Sequence, residues 1–165
     1  MQTFDVLSIM SQLAIAITGF SGVVSVFGAK GGATFGNPDY VRLVSLLTAS
    51  LSAFVLCVIA ILLLVASIEE RFVWRIVSLM VALERTLWLS QFVRNRTVFL
   101  GAGQTLIFFY IFSVGGALVI ALASTNALLL GVFWPFMYCI VWYLIESSFV
   151  FVRLTLRRVA PDGRA

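Results

Sequence analysis

The sequence predicts an all-α integral membrane protein, a bundle of five transmembrane helices. The mean hydropathy is +1.11, and 62% of the residues are hydrophobic. Only 11% are charged, whereas about a quarter are charged in a typical soluble domain. Five apolar stretches each reach roughly the 20 residues that a helix needs to cross a bilayer. They cover residues 6–29, 43–68, 72–93, 104–124 and 128–152.

The polar segments between these stretches are too short to bury a core of their own. We therefore expect residues 1–165 to form a single transmembrane domain, with residues 153–165 as a short basic cytoplasmic tail. A secretory signal peptide begins with basic residues, and residues 1–5 contain none. The first span should accordingly stay attached.

The first span carries small and hydroxylated side chains that recur every three or four residues and so fall on one helix face. Such a face lets two helix backbones approach closely, or it can line a narrow hydrated path. Packing is the interpretation we favour. The candidate pore or packing face consists of Ser11, Thr18, Ser21, Gly22 and Ser25.

The second span follows Asn37-Pro38-Asp39, which is typical of a helix start, and it carries a similar small face near that end. The fourth span has a third small face. Ser124-Thr125-Asn126 predicts a tight polar hairpin before the fifth span, and Pro135 predicts a bend about two turns into that span.

For the third span, the favourable and unfavourable contributions to the free energy of membrane insertion nearly cancel. Its apolar residues favour insertion by about 3–7 kcal/mol, while Glu84 and Arg85 near its centre cost about 5–7 kcal/mol. The alternative is a bundle of four spans plus one interfacial amphipathic helix. In the five-span arrangement, Arg94 and Arg153 mark the same boundary of the membrane. Arg85 lies nine residues before Arg94, and Glu146 lies seven before Arg153. Arg85 and Glu146 are therefore at a similar depth. We therefore expect Arg85 and Glu146 to pair, which favours crossing.

The basic residues predict the orientation. With five spans, eight of them fall on one side of the membrane, and Arg71 and Arg75 fall on the other. The positive-inside rule then places the N-terminus outside and the C-terminus in the cytoplasm. Arg153, Arg157 and Arg158 form a basic cluster next to the membrane that should contact anionic lipid headgroups.

Residues Gln12–Gly28, QLAIAITGFSGVVSVFG, and Trp74-Arg75 at the start of the third span resemble a group of small bacterial multi-pass inner-membrane proteins of unknown function. The resemblance implies a bacterial inner (cytoplasmic) membrane and a similar arrangement of spans. No functional residue is transferred by it.

No catalytic, metal-binding or cofactor-binding signature is present in the sequence. The chain has no histidine, the commonest general base and metal ligand, and Cys57 and Cys139 fall within apolar stretches where they act as small fillers. The remaining candidates are the intramembrane charges Arg75, Glu84, Arg85 and Glu146.

We therefore expect a non-enzymatic protein, without cofactor or nucleic-acid partner, that contacts the lipid bilayer and assembles as a homo-oligomer or within a larger membrane complex. Two functions follow. One is a small ion channel or pore lined by the first-span hydroxyls or by Arg75 and Glu84; the other is an accessory or structural subunit.

Overall fold

The computed structural model describes residues 2–30, 37–94 and 106–159, which form an all-α bundle. Its helices are α1 (Gln2–Lys30), α2 (Asn37–Val65), α3 (Glu70–Arg94), α4 (Leu106–Thr125) and α5 (Phe133–Val159). A π-helical turn, Asn126–Leu130, continues α4. All five helices are long and apolar enough to cross a membrane. The predicted fold class is confirmed, and the chain is a multi-pass membrane protein.

Helix α5 is the hub of the bundle, because it contacts each of the other four helices. Its inward face carries Phe136, Ile140 and Tyr143, which are fully buried. Helices α1 and α2 pack along each other, and α3 packs mainly against α4 and the π-helical turn. Helices α2 and α3 follow each other in the chain but contact each other less extensively. A groove between α2 and α3 results.

The connection between α4 and α5 differs from the predicted hairpin at residues 124–126. The chain stays helical through Thr125 and the π-helical turn and reverses at Gly131, which has a φ of 65°. The prediction is wrong because Asn126 is buried instead of lying in a polar loop. Its amide nitrogen donates to Ser78 Oγ at 2.7 Å and to the Val132 carbonyl at 2.9 Å, and its Oδ1 accepts from Val132 N–H at 3.0 Å.

Two further differences concern α5. Because this helix begins at Phe133 instead of residue 128, Pro135 lies in its first turn, where a missing N–H removes no intrahelical bond. The bend predicted two turns into the span has no cause there. The helix also continues to Val159, so that residues 153–159 extend it and do not form a separate tail. Helix α2 begins at the predicted Asn37 but ends at Val65, before the predicted limit at residue 68.

Candidate functional site

Arg85 on α3 and Glu146 on α5 form an ion pair inside the bundle. Arg85 Nη1 lies 2.6 Å from Glu146 Oε2. The two residues are only 2% and 4% exposed. The pairing predicted from their matching depths is confirmed. Each charge is thereby neutralised in an apolar surrounding where a lone charge would be costly.

The Arg85 guanidinium also lies over an aromatic ring. Its Cζ is 3.5 Å from the centroid of the Tyr143 ring and 5.4 Å from that of Trp88. Tyr143 and Glu146 are three residues apart on α5, so both project from the same helix face towards α3. The Nε and Nη2 atoms of Arg85 are buried without a hydrogen-bond partner among the described residues. The cation–π contact with the Tyr143 ring therefore gives the guanidinium a second favourable interaction beside its ion pair with Glu146.

Glu84, next to Arg85 in the sequence, is held by two hydroxyl groups. Ser52 Oγ on α2 donates to Glu84 Oε1 at 3.2 Å, and the Tyr143 hydroxyl donates to Glu84 Oε2. Tyr143 thus contacts Arg85 with its ring and Glu84 with its hydroxyl. These contacts link α2, α3 and α5 through one polar cluster, formed by Ser52, Glu84, Arg85, Tyr143 and Glu146.

Glu84 connects this polar cluster to the groove between α2 and α3. The groove has a volume of about 430 Å³. It opens on the side of the bundle, since Leu51, Val55 and Met80 in its walls are 45%, 47% and 37% exposed. Glu84 and Ser52 are partly buried at its polar part. The full lining is Thr48, Leu51, Ser52, Val55, Leu56, Met80 and Glu84.

The hydroxylated face of α1 packs against α2. Thr18 Oγ1 donates to Ser50 Oγ at 2.8 Å, and Ser21 is fully buried. Ser11 donates to the carbonyl of Ser8 in its own helix. These contacts agree with the packing interpretation of the face.

Gly22 departs from this arrangement. It is exposed, and a Cβ atom built on it would meet nothing within 4 Å. The side chain of Ser25 lies outside the described part of the structure. Of the predicted residues, Thr18 therefore contributes to the α1–α2 contact, Ser21 is buried in the bundle, and Gly22 lies on its exposed surface.

Arg75 lies apart from the polar cluster. It is partly buried beside Gly131, near the start of α3. Glu84 lies nine positions further along α3, a rotation of about 180° around the axis, so the two face opposite sides of α3. The pore lining that combined Arg75 with Glu84 does not come together within one chain.

The predicted headgroup cluster is described only in part. Arg153 is partly buried, with its Cζ 6.0 Å from the Phe149 ring centroid. The side chains of Arg157 and Arg158 lie outside the described part. Contact of these three arginines with lipid headgroups stays a prediction.

Sequence reasoning missed three participants in buried polar contacts, Ser52, Tyr143 and Asn126. The sequence signal for these contacts was weak, because serine and tyrosine are common in apolar helices. Their partners depend on how each helix is rotated about its axis. Cys57 and Cys139 are buried free thiols, in agreement with a filling role. Within the described residues, no three His, Cys, Asp or Glu side chains group as metal ligands would.

In comparison with known proteins, the chain matches no family model, no curated protein and no solved structure.

Proposed function

We propose that the protein is a non-enzymatic membrane protein that self-associates and serves as an accessory or structural subunit of a membrane assembly. The observation that carries this proposal is the outer face of α1. Gly19 and Gly22 are exposed there, and among the described residues a Cβ built on either would meet no atom within 4 Å beyond the adjoining backbone of α1. Exposed glycines on an apolar helix allow another helix backbone to approach closely.

The internal contacts of the bundle favour this function over a channel. The α1 hydroxyl of Thr18 bonds to Ser50 on α2, so it does not line an open path. Arg85 and Glu146 neutralise each other, and Arg75 and Glu84 lie on opposite sides of α3. Among the described residues, neither of the two predicted pore linings encloses a continuous polar route through one chain.

Cysteine cross-linking tests the self-association. The native thiols Cys57 and Cys139 are buried, which leaves Gly19→Cys as an exposed thiol on α1. We expect Gly19→Cys to form disulfide-linked dimers in native membranes on mild oxidation. Ala117→Cys is the matched control. Ala117 is a small exposed residue on α4, a helix without extensive contacts to α1 among the described residues. This variant should remain monomeric.

A larger side chain on the same face of α1 provides the second test. Gly19→Leu should shift the purified protein from oligomer to monomer in light scattering, whereas Ala117→Leu should leave the oligomer intact. Equal cross-linking at both positions, or an oligomer that tolerates Gly19→Leu, would contradict an α1 interface. Conductance in planar bilayers that changes with Glu84→Gln would favour the channel instead.

For location, we propose a bacterial inner membrane with the N-terminus outside and the C-terminus in the cytoplasm. The charge distribution supports this orientation, because the turn between α2 and α3 and the start of α3 carry only Arg71 and Arg75 as basic residues. A reporter fused to the N-terminus, active only outside the cytoplasm, should be active. A silent reporter of this kind, with an active cytoplasmic one at the same position, would support the four-span alternative.

A further inference from the structure

We propose that the groove between α2 and α3 binds a lipophilic organic cation, with its positive charge at Glu84. This binding site goes beyond the self-association proposed above and does not depend on it. Three features favour such a ligand: the acidic groups of the polar cluster, the size and walls of the groove, and its opening.

Acidic groups outnumber basic groups in the polar cluster. It contains two carboxylates, Glu84 and Glu146, and one guanidinium, Arg85, for a formal sum of −1. Arg85 is engaged by Glu146 at 2.6 Å, while Glu84 receives hydrogen bonds from two neutral hydroxyls. Among the described residues, the hydrogen bonds of Glu84 come from Ser52 and Tyr143, neither of which carries a charge. Within the described part of the chain, the carboxylate that borders the groove is thus the one that forms no ion pair.

The size and walls of the groove select the kind of ligand. Its volume of about 430 Å³ falls within the range of roughly 300–1,000 Å³ typical of small-molecule sites. Along α2 it runs from Thr48 to Leu56, a rise of about 12 Å, whereas a transmembrane partner helix is about 30 Å long. Leu51, Val55, Leu56 and Met80 make the walls apolar. A compact apolar molecule fits this space better than a helix does.

The opening of the groove provides the route of entry. Leu51 and Val55 are about half exposed on the side of the bundle, where a membrane helix meets lipid. A lipophilic cation already dissolved in the bilayer can therefore enter sideways. A carboxylate within the membrane relieves the high cost of a charge in that surrounding, so Glu84 supplies affinity for cations over neutral or anionic molecules of the same shape.

Equilibrium dialysis with two probes of the same shape and opposite charge tests this inference. Tetraphenylphosphonium is the cation and tetraphenylborate is the anion, each measured against the purified protein in detergent micelles and against protein-free micelles. We expect saturable binding of about one tetraphenylphosphonium per chain, and no saturable binding of tetraphenylborate. Equal binding of the two probes would overturn the proposal.

Three variants assign the binding to the groove. Glu84→Gln should weaken tetraphenylphosphonium binding by about tenfold or more. Glu70→Gln, at an exposed carboxylate on the same helix, should leave it unchanged. Leu51→Trp fills the groove from its exposed wall without altering the polar cluster, and it should also abolish binding, which keeps the test decisive if Glu84→Gln fails to fold. Binding that survives both Glu84→Gln and Leu51→Trp would refute the site.

Discussion

Arg85 and Glu146 tie the third helix of the bundle to the last one by an ion pair, 2.6 Å between Nη1 and Oε2, in a place that neither water nor lipid reaches. The pair also explains how α3, with two charges near its centre, belongs to an apolar bundle. Its arginine is neutralised by α5, so the insertion of α3 is supported by its neighbour and not by its own hydropathy.

The first prediction concerns this pair. Arg85→Met and Glu146→Leu should each lower the free energy of unfolding by about 3–5 kcal/mol, because each leaves one buried charge without its partner. The double variant should lose less than either single one, since neither member of the pair is left buried without its partner. Unfolding in mixed detergent and dodecyl sulfate micelles measures all three. Additive losses in this double-mutant cycle would show that the two residues are not coupled.

Arg94→Met is the control for the pair. Arg94 ends the same helix, but its side chain is exposed. Removing it should change the free energy of unfolding by about 0.5 kcal/mol or less. A loss as large as that of Arg85→Met would mean that any arginine of α3 matters equally.

The second prediction uses two adjacent glycines of α4. A Cβ atom on Gly115 would overlap the indole ring of Trp142 on α5, whereas the nearest atom to a Cβ on Gly116 is Leu89 Cδ1 at 3.7 Å, an ordinary contact. Gly115→Ala should therefore destabilise the protein by about 1–3 kcal/mol. Gly116→Ala should be neutral or slightly stabilising, since alanine favours a helix over glycine.

Thermal unfolding of the two glycine variants measures the difference. Combining Gly115→Ala with Trp142→Leu, which removes the ring, should restore part of the loss. If Gly115→Ala and Gly116→Ala behave alike, the close approach of α4 and Trp142 is absent in the folded protein.

The third prediction concerns Asn126 in the π-helical turn. Its side chain makes three hydrogen bonds, to Ser78 on α3 and to both backbone polar groups of Val132. Asn126→Leu should destabilise the protein by about 2–4 kcal/mol, because it leaves buried partners unsatisfied. The neighbouring exposed hydroxyl of Thr125 donates to the carbonyl of Ala121 in its own helix. Thr125→Val should cost about 0.5 kcal/mol or less.

Limited proteolysis of the chain reversal at Gly131 gives an independent readout for Asn126. Asn126→Leu should speed cleavage there, and Thr125→Val should not. Unchanged cleavage and stability in Asn126→Leu would mean that the turn is held by other contacts.

The sequence was sufficient to predict the five helices and the pairing of Arg85 with Glu146. Both depend on quantities that a sequence carries directly, namely the length of apolar segments and the depth of a charge below the membrane boundary. The start of α2 at Asn37 was equally predictable, because proline and aspartate suit a first turn.

The rest depends on how each helix is rotated. Which side of α2 faces α3 decides that Ser52 reaches Glu84, and a shift of one residue would turn it away by about 100°. For a related reason, the chain reversal between α4 and α5 was predicted at residues 124–126 instead of at Gly131. Polar residues predict a loop only when water satisfies them, whereas Asn126 is satisfied by Ser78, far away in the sequence.

The central place of α5 has a consequence for biogenesis. The ribosome produces this helix after the other four, yet all four contact it. Until it emerges, Glu146 is not present to pair with Arg85. The bundle can therefore close around the Arg85–Glu146 pair only after its final segment has entered the membrane.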